Sequence, residues 1–198
     1  MTTVDIFNRA LDLVGTTNVV SITDATKEAR ICLRNHDLSR RSILRLHPWN
    51  FAILRVNLSV SDPTPPAFGF ANKFKLPDNY LRATNVSEDN LDDWRMEGGF
   101  LLSDSSSVEL SYVSDVTDPS LWDPLAFDAI CHHLAWSICY SLNSSVECKQ
   151  ELTQALDKVL KKAKQIDSVE DPKKDLDIDV WMRARVGPSQ GFVRDPMT

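Results

Sequence analysis

Apolar residues recur at a helical spacing near both ends of the chain and alternate with polar ones in its middle third. Near the start, Val4, Phe7, Ala10, Leu11 and Val14 share one helical face. This predicts a helix over about 3–14, closed by Gly15 as a C-terminal cap. The link Thr16–Ser21 is polar and β-branched, which suits helix poorly. A long second helix is expected over about 24–46, with Ala25, Ala29, Cys32, Leu33, Ile43 and Leu44 as its apolar residues. Thr23 or Asp24 is the expected cap. His47-Pro48 ends it, because a residue before proline avoids helical geometry.

Period two takes over next. Ala52, Leu54, Val56, Leu58 and Val60 alternate with Ile53, Arg55, Asn57 and Ser59, which is a strand pattern. Ser61–Pro66 is rich in proline and reads as a loop. Short strands are predicted at Phe70–Leu76, Leu81–Val86, Trp94–Glu97, Phe100–Leu102 and Val108–Val113. Gly98-Gly99 and Asp104–Ser107 mark turns between them. The segment over about 50–113 is therefore expected to be one small antiparallel sheet.

Helix returns after Asp118-Pro119. Over about 124–142, Phe127, Cys131, Leu134 and Ile138 point one way, while Ala129, Trp136 and Tyr140 point another. A helix that is apolar nearly all round belongs in the middle of a bundle or at a subunit interface. The helix over about 146–166 is amphipathic. Leu152, Leu156, Val159, Ala163 and Ile166 face a core, and Lys149, Asp157, Lys158, Lys161, Lys162 and Lys164 face water. From Ser168 the chain is polar and interrupted by Pro172, Pro188 and Pro196, yet it carries Trp181, Met182 and Phe192. No internal repeat is visible. The expected fold is α+β: a bundle of two N-terminal and two C-terminal helices, an inserted antiparallel sheet, and an extended C-terminal arm. One domain over 1–167 and a docking tail over 168–198 are expected.

Composition narrows the picture little. With 198 residues, 42% hydrophobic and 25% charged, the chain is long enough to bury a core without disulfides or metal. The net charge of −6 disfavours wrapping nucleic acid, since phosphate binding rests on lysine and arginine. The first residues have no basic start followed by an apolar core, so no signal peptide is expected. No run of 18 apolar residues occurs, so no membrane span is expected either. The N-x-S sequons at Asn57, Asn85 and Asn143 are then chance matches. Cys32, Cys131, Cys139 and Cys148 form no C-x-x-C pair and read as buried thiols.

Candidate chemistry is thin. Cys131-His132-His133 with Cys139 holds the right atoms for zinc, but adjacent helical residues diverge by about 100° and cannot converge on one ion. A nucleophilic Cys131 would need an accessible, electropositive setting that a buried helix does not provide. Asp89, Asp92 and Asp93, and Asp175, Asp177 and Asp179, lie in polar runs and read as solvated surface. With only six glycines, no phosphate-binding glycine loop is present. No catalytic residue, metal or cofactor is expected.

Two patterns point to contacts. Arg30, Arg34, Arg41 and Arg45 fall within about 60° of one face of the second helix, with Asp37 inside the stripe. The stripe fits a solvated face with an internal ion pair, a contact with an acidic neighbour, or DNA. Trp181, Arg183 and Arg185 have the composition of an interface anchor, unless the tail folds back on its own domain.

The order of several segments resembles the head-to-tail adaptor family of tailed bacteriophages, called tail tubular protein A in short-tailed phages. The segments are Asn8, Leu11 and Val14-Gly15, then Ala29-Arg30 through Leu44 to Pro48-Trp49-Asn50-Phe51. Lys75-Leu76-Pro77-Asp78-Asn79-Tyr80-Leu81-Arg82 follows, similar to the family's "LP.DYLR" element. Leu110-Ser111-Tyr112-Val113, Asp115, Asp118-Pro119, Phe127–Ala135 and Ala163–Asp167 complete the set. The resemblance spans most of residues 4–167. The loop Pro63–Pro66 and the Trp181 tail depart from it.

The resemblance implies a non-enzymatic virion protein, assembled in the host cytoplasm, that forms a ring, usually of twelve copies, beneath the portal. The ring continues the DNA channel without sequence-specific binding and gives a tail nozzle or tube its docking surface. It takes no cofactor. Arg30, Arg34, Arg41, Arg45, Trp136 and Tyr140 are the expected subunit contacts. Trp181, Arg183, Arg185 and Phe192 are the expected portal contacts. A charge of −6 per copy, repeated round a ring, favours a lumen that repels DNA. Alternatives are another neck or head-completion protein, a virion-borne cell-wall hydrolase, and a DNA-binding regulator using the arginine stripe.

Overall fold

The computed structural model describes residues 1–59, 64, 66–87 and 94–170. Helices α1 (Thr3–Val14) and α2 (Lys27–Leu46) precede strands β1 (Ile53–Ser59), β2 (Asn72–Lys75), β3 (Tyr80–Ser87), β4 (Trp94–Glu97), β5 (Phe100–Ser103) and β6 (Ser107–Ser114). Helices α3 (Pro124–Asn143) and α4 (Val146–Glu170) follow. The fold is α+β, with two helices on each side of a β insert in the chain.

Local chemistry sets the helix ends. Thr2 and Asp5 form a reciprocal capping box on α1, and Gly15 closes that helix at φ 78, where a side chain would be strained. Asn8 then clamps the polar link by bonding both the N–H and the carbonyl of Val19, at 2.8 and 3.0 Å. The second helix begins three residues later than expected. Thr26, not Thr23 or Asp24, accepts the Ala29 N–H. Asp24 is drawn away because its carboxylate accepts the N–H groups of Val20 and Ser21.

The apolar α3 lies at the centre of the bundle, packed on α1, α2 and α4. Ala126, Ala129, Ile130, Cys131, Leu134, Ala135, Ile138 and Cys139 are all buried there. Its lack of a single stripe therefore follows from having neighbours on three sides within one chain. Two expectations for α4 change. Ile166 is exposed, and Asp167 takes the buried position. The helix also runs on to Glu170.

The β insert is two sheets, not one. Their strand orders are β1-β6-β3 and β2-β5-β4, all antiparallel. Leu58, Val108, Leu110 and Tyr112 from the first sheet share a core with Phe74 and Leu101 from the second. The reason lies in β6. Val108, Leu110 and Tyr112 face the second sheet, while Val113 on the other face joins the helical core with Leu81 and Ala52. A sheet buried on both faces needs cover on both sides, and four-residue strands supply it.

Polar groups lock the bundle to this sheet. Arg40 is buried on α2. Its Nε and Nη2 donate to the two oxygens of Asp115 at 2.8 and 3.1 Å, and its Nη1 donates to Asp37 at 2.7 Å. Burial alone would lower the Arg40 pKa, but the bonds and charges of Asp115 and Asp37 outweigh it and hold the guanidinium charged. The N–H of Asp115 donates to the Asn79 carbonyl at 2.7 Å, and the Tyr112 hydroxyl donates to Asn79 Oδ1 at 3.0 Å. At the far end of α2, Pro48 stops the helix and Trp49 is fully buried, its indole N–H donating to the Ile43 carbonyl at 3.0 Å. Asp167 of α4 accepts the Asn50 N–H and bonds His47 Nε2, at 3.1 and 2.8 Å.

Removing one partner of a buried ion pair leaves the other charge uncompensated. Arg40→Ala should lower unfolding free energy by about 3–5 kcal/mol, whereas joint replacement of Arg40 and Asp115 by leucine should cost clearly less. Urea denaturation of both variants checks this. Equal losses would show that the pair does not act as a unit.

Candidate interaction surface

The arginine stripe of α2 divides in two. Towards its C-terminal end, Arg41 Nε lies 3.5 Å from Asp115, and Arg45 donates to the Leu81 carbonyl. Both are engaged within the chain, at the joint with β3 and β6. Asp37 does not pair along the stripe, as its carboxylate bonds Arg40 and His36. Burial of Asp37 would raise its pKa, but the Arg40 bond and charge dominate and lower it.

The N-terminal half is different. Lys27, Arg30 and Arg34 are exposed. Among the described residues none of the three makes an ion pair, and Arg30 bonds only the Thr26 carbonyl of its own first turn. Two large apolar residues flank them: Leu33 is 51% exposed and Leu38 67% exposed. Leu33, one of the apolar residues expected on this helix, thus faces solvent while Ala29, Cys32, Ile43 and Leu44 are buried. At about 100° per residue, Leu33 falls about 60° to one side of Arg30, and Leu38 about 40° beyond Arg34. The exposed face is thus a basic ridge between two leucines.

The end of α3 carries the other expected contact residues. Trp136 is half-buried, and its indole N–H donates to Thr153 Oγ1 on α4 at 3.1 Å. The Lys149 ammonium sits 4.8 Å from its ring centroid, and the His133 ring packs 5.6 Å away. Trp136 therefore joins α3 to α4. Tyr140 is 58% exposed, next to a tight turn whose cap, Ser144, adopts φ 52. Beyond that turn Val146 is 55% exposed, and Glu147 and Glu151 are exposed on one face of α4. The proposed tail contacts Trp181, Arg183, Arg185 and Phe192 lie outside the described residues, as do the aspartates at 89, 92, 93, 175, 177 and 179.

The groups considered for chemistry are set in the core. Burial, and to a lesser degree the Glu28 charge, pushes the Cys32 thiol up to about 12. Burial, followed by the Asp128 charge, also pushes the Cys131 thiol up. Neither is a thiolate near neutrality, which nucleophilic attack requires. His132 Nδ1 lies 2.9 Å from the Asp128 carbonyl, and His133 points elsewhere, towards Trp136. Among the described residues no three His, Cys, Asp or Glu side chains converge as metal ligands. Nor is any described helix long and apolar enough to cross a membrane. An open groove of about 300 Å³ crosses β1 and β6 and is lined by Arg55, Val56, Asn57, Glu109, Leu110 and Ser111. It is a sheet surface rather than an enclosed apolar pocket.

The sequence reading missed Arg40, Leu33 and Leu38. The leucines had a signal, since helical spacing alone puts them beside the arginines. Arg40 had none, because its partner Asp115 is 75 residues away.

His133 gives a pH test of the packing at this end of α3. Burial lowers its pKa below the ordinary imidazole value. Below about pH 6.5 the unfolded chain therefore binds the extra proton first, and stability falls as the pH drops. His133→Phe should flatten the decline measured by urea denaturation between about pH 7 and pH 5. An unchanged slope would mean that His133 is not held neutral by burial.

Comparison with protein-family models finds no matching model, and comparison with curated proteins finds no match.

Proposed function

We propose that this chain is a structural, non-catalytic subunit of the ring that joins head to tail in a tailed bacteriophage. In this reading copies of the chain form a ring beneath the portal, continue the DNA channel, and offer the tail nozzle or tube a docking surface. The observation that carries it is the outer face of α2. Lys27, Arg30 and Arg34 stand there between exposed Leu33 and Leu38, none of them in an ion pair among the described residues, while Asp37 on the same face is taken by Arg40 and His36. An exposed apolar and charged face on a rigid helix is the composition of a protein contact, since arginine is enriched at interfaces and solitary charges on a free surface gain nothing from flanking leucines.

A second observation supports the same reading. Several of the segments that resemble the adaptor family build the joint between bundle and sheet. Trp49 and Asn50 fix the end of α2, Asn79 and Leu81 fix β3, and Asp115 receives Arg40. The resemblance therefore lies in residues that set the fold. The α2 face offers DNA a weak grip, because among the described residues three cations stand free on it in a chain of charge −6.

Two outcomes are expected. Mass photometry of the full chain mixed with the portal protein of the same phage should show about a dozen copies joining it, the number that the resemblance implies. A chain that never binds portal would remove the reading. Deleting the residues after Asp171 should leave the domain folded by circular dichroism while abolishing portal binding through Trp181, Arg183, Arg185 and Phe192. Normal binding by the truncated chain would exclude the tail as the docking arm.

A further inference from the structure

We infer that the basic face of α2 docks against the α3–α4 turn of the next copy, with Arg30 and Arg34 meeting Glu147 and Glu151. This rests on the ring reading and names the two surfaces that would form its subunit contact.

The two patches match in kind and oppose in charge. One carries Lys27, Arg30 and Arg34 with Leu33 and Leu38 exposed. The other carries Glu147 and Glu151 with Tyr140 and Val146 exposed. Glu147 and Glu151 are one turn apart on α4, as Arg30 and Arg34 are on α2, so two pairs can form where the two helices run parallel or antiparallel. Glu151 makes no ion pair among the described residues, and the Glu147 carboxylate accepts from its own backbone N–H and from the Ser145 hydroxyl, which lower its pKa and hold its charge.

Several other carboxylates beside exposed apolar residues are already occupied, although Glu170 beside exposed Val169 is not among the described residues. Asp5 near Met1 accepts the Thr2 N–H, Asp24 near Val20 accepts two backbone N–H groups, and Asp118 near Leu121 accepts the Ser120 N–H. The α3–α4 turn has carboxylates to spare.

Placement in the fold decides the symmetry. Helices α2 and α4 both pack along α3 and meet where Asp167 reaches His47 and Asn50 past the end of α2, so the basic first half of α2 and the α3–α4 turn are separate patches. An isologous contact centred on the basic patch would set Arg30 and Arg34 against their own copies and be repulsive, and one that pairs each patch with the other needs both patches on a single face. Joining α2 of one copy to the turn of the next satisfies both charges and leaves one patch free at each end, which is the heterologous geometry that closes into rings.

Sedimentation velocity of the full chain over a concentration series up to several hundred micromolar tests this. The wild type should self-associate. Arg30→Glu with Arg34→Glu, or Glu147→Arg with Glu151→Arg, should each weaken association at least about ten-fold, because each sets like charges together. These residues are exposed, so circular dichroism should show both variants folded. An equimolar mixture of the two variants should associate again, since each then presents the complement of the other. Double variants that associate like the wild type overturn the inference and leave the ring reading standing. A wild type that stays monomeric throughout also overturns it, while the ring reading is then decided by the portal mixing experiment.

Discussion

Arg40 is the residue on which the arrangement of this molecule turns. It reaches from the buried side of α2 to Asp115, just past the end of β6, and its fork geometry matches both oxygens of that carboxylate. A guanidinium in this position cannot be left unpaired at low cost, so its bonds fix where the sheet sits on the helices. The neighbouring contacts follow the same boundary. Arg45 reaches the Leu81 carbonyl, Arg41 approaches Asp115, and Asn79 takes the Asp115 N–H. What joins bundle to sheet is a line of polar contacts over a shared apolar seam of Ala52, Leu81 and Val113.

That joint explains why α2 presents two different surfaces. Its C-terminal half spends its arginines inside the chain. Its N-terminal half has no sheet above it, so Lys27, Arg30 and Arg34 keep their charge in solvent between two leucines. One helix thus serves as a structural strut at one end and as a free face at the other. Helix α4 packs along α3 and ends with Asp167 against His47 and Asn50. The short turn that starts it exposes acids beside apolar residues. The contrast in charge between the two patches arises from the layout of the bundle around α3.

Helix spacing, strand alternation and the breaks at proline and glycine are written in the sequence, because they depend on neighbours within a few residues. The four helices, the strand positions and the buried face of α1 were legible for that reason. So was the lack of a single stripe on α3, which required cover on several sides. The start of α2 was misplaced because Asp24 can cap or turn with equal chemistry, and the Val20 and Ser21 N–H groups won it. The single expected sheet became two because alternation reports which residues share a face and not which strands are partners.

The sequence by itself therefore determined the elements, the burial of α3 and the presence of an arginine face. It could not divide that face, because the partners that claim Arg41 and Arg45 lie far along the chain in β3 and just beyond β6. It also grouped Leu33 with the buried apolar residues of α2, because which side of a helix is covered depends on helices far along the chain. Tertiary structure decided both points by where α3 and the sheet cover α2. Long-range packing, with its loop-closure entropy and its buried charges, selects among faces that local periodicity leaves equivalent.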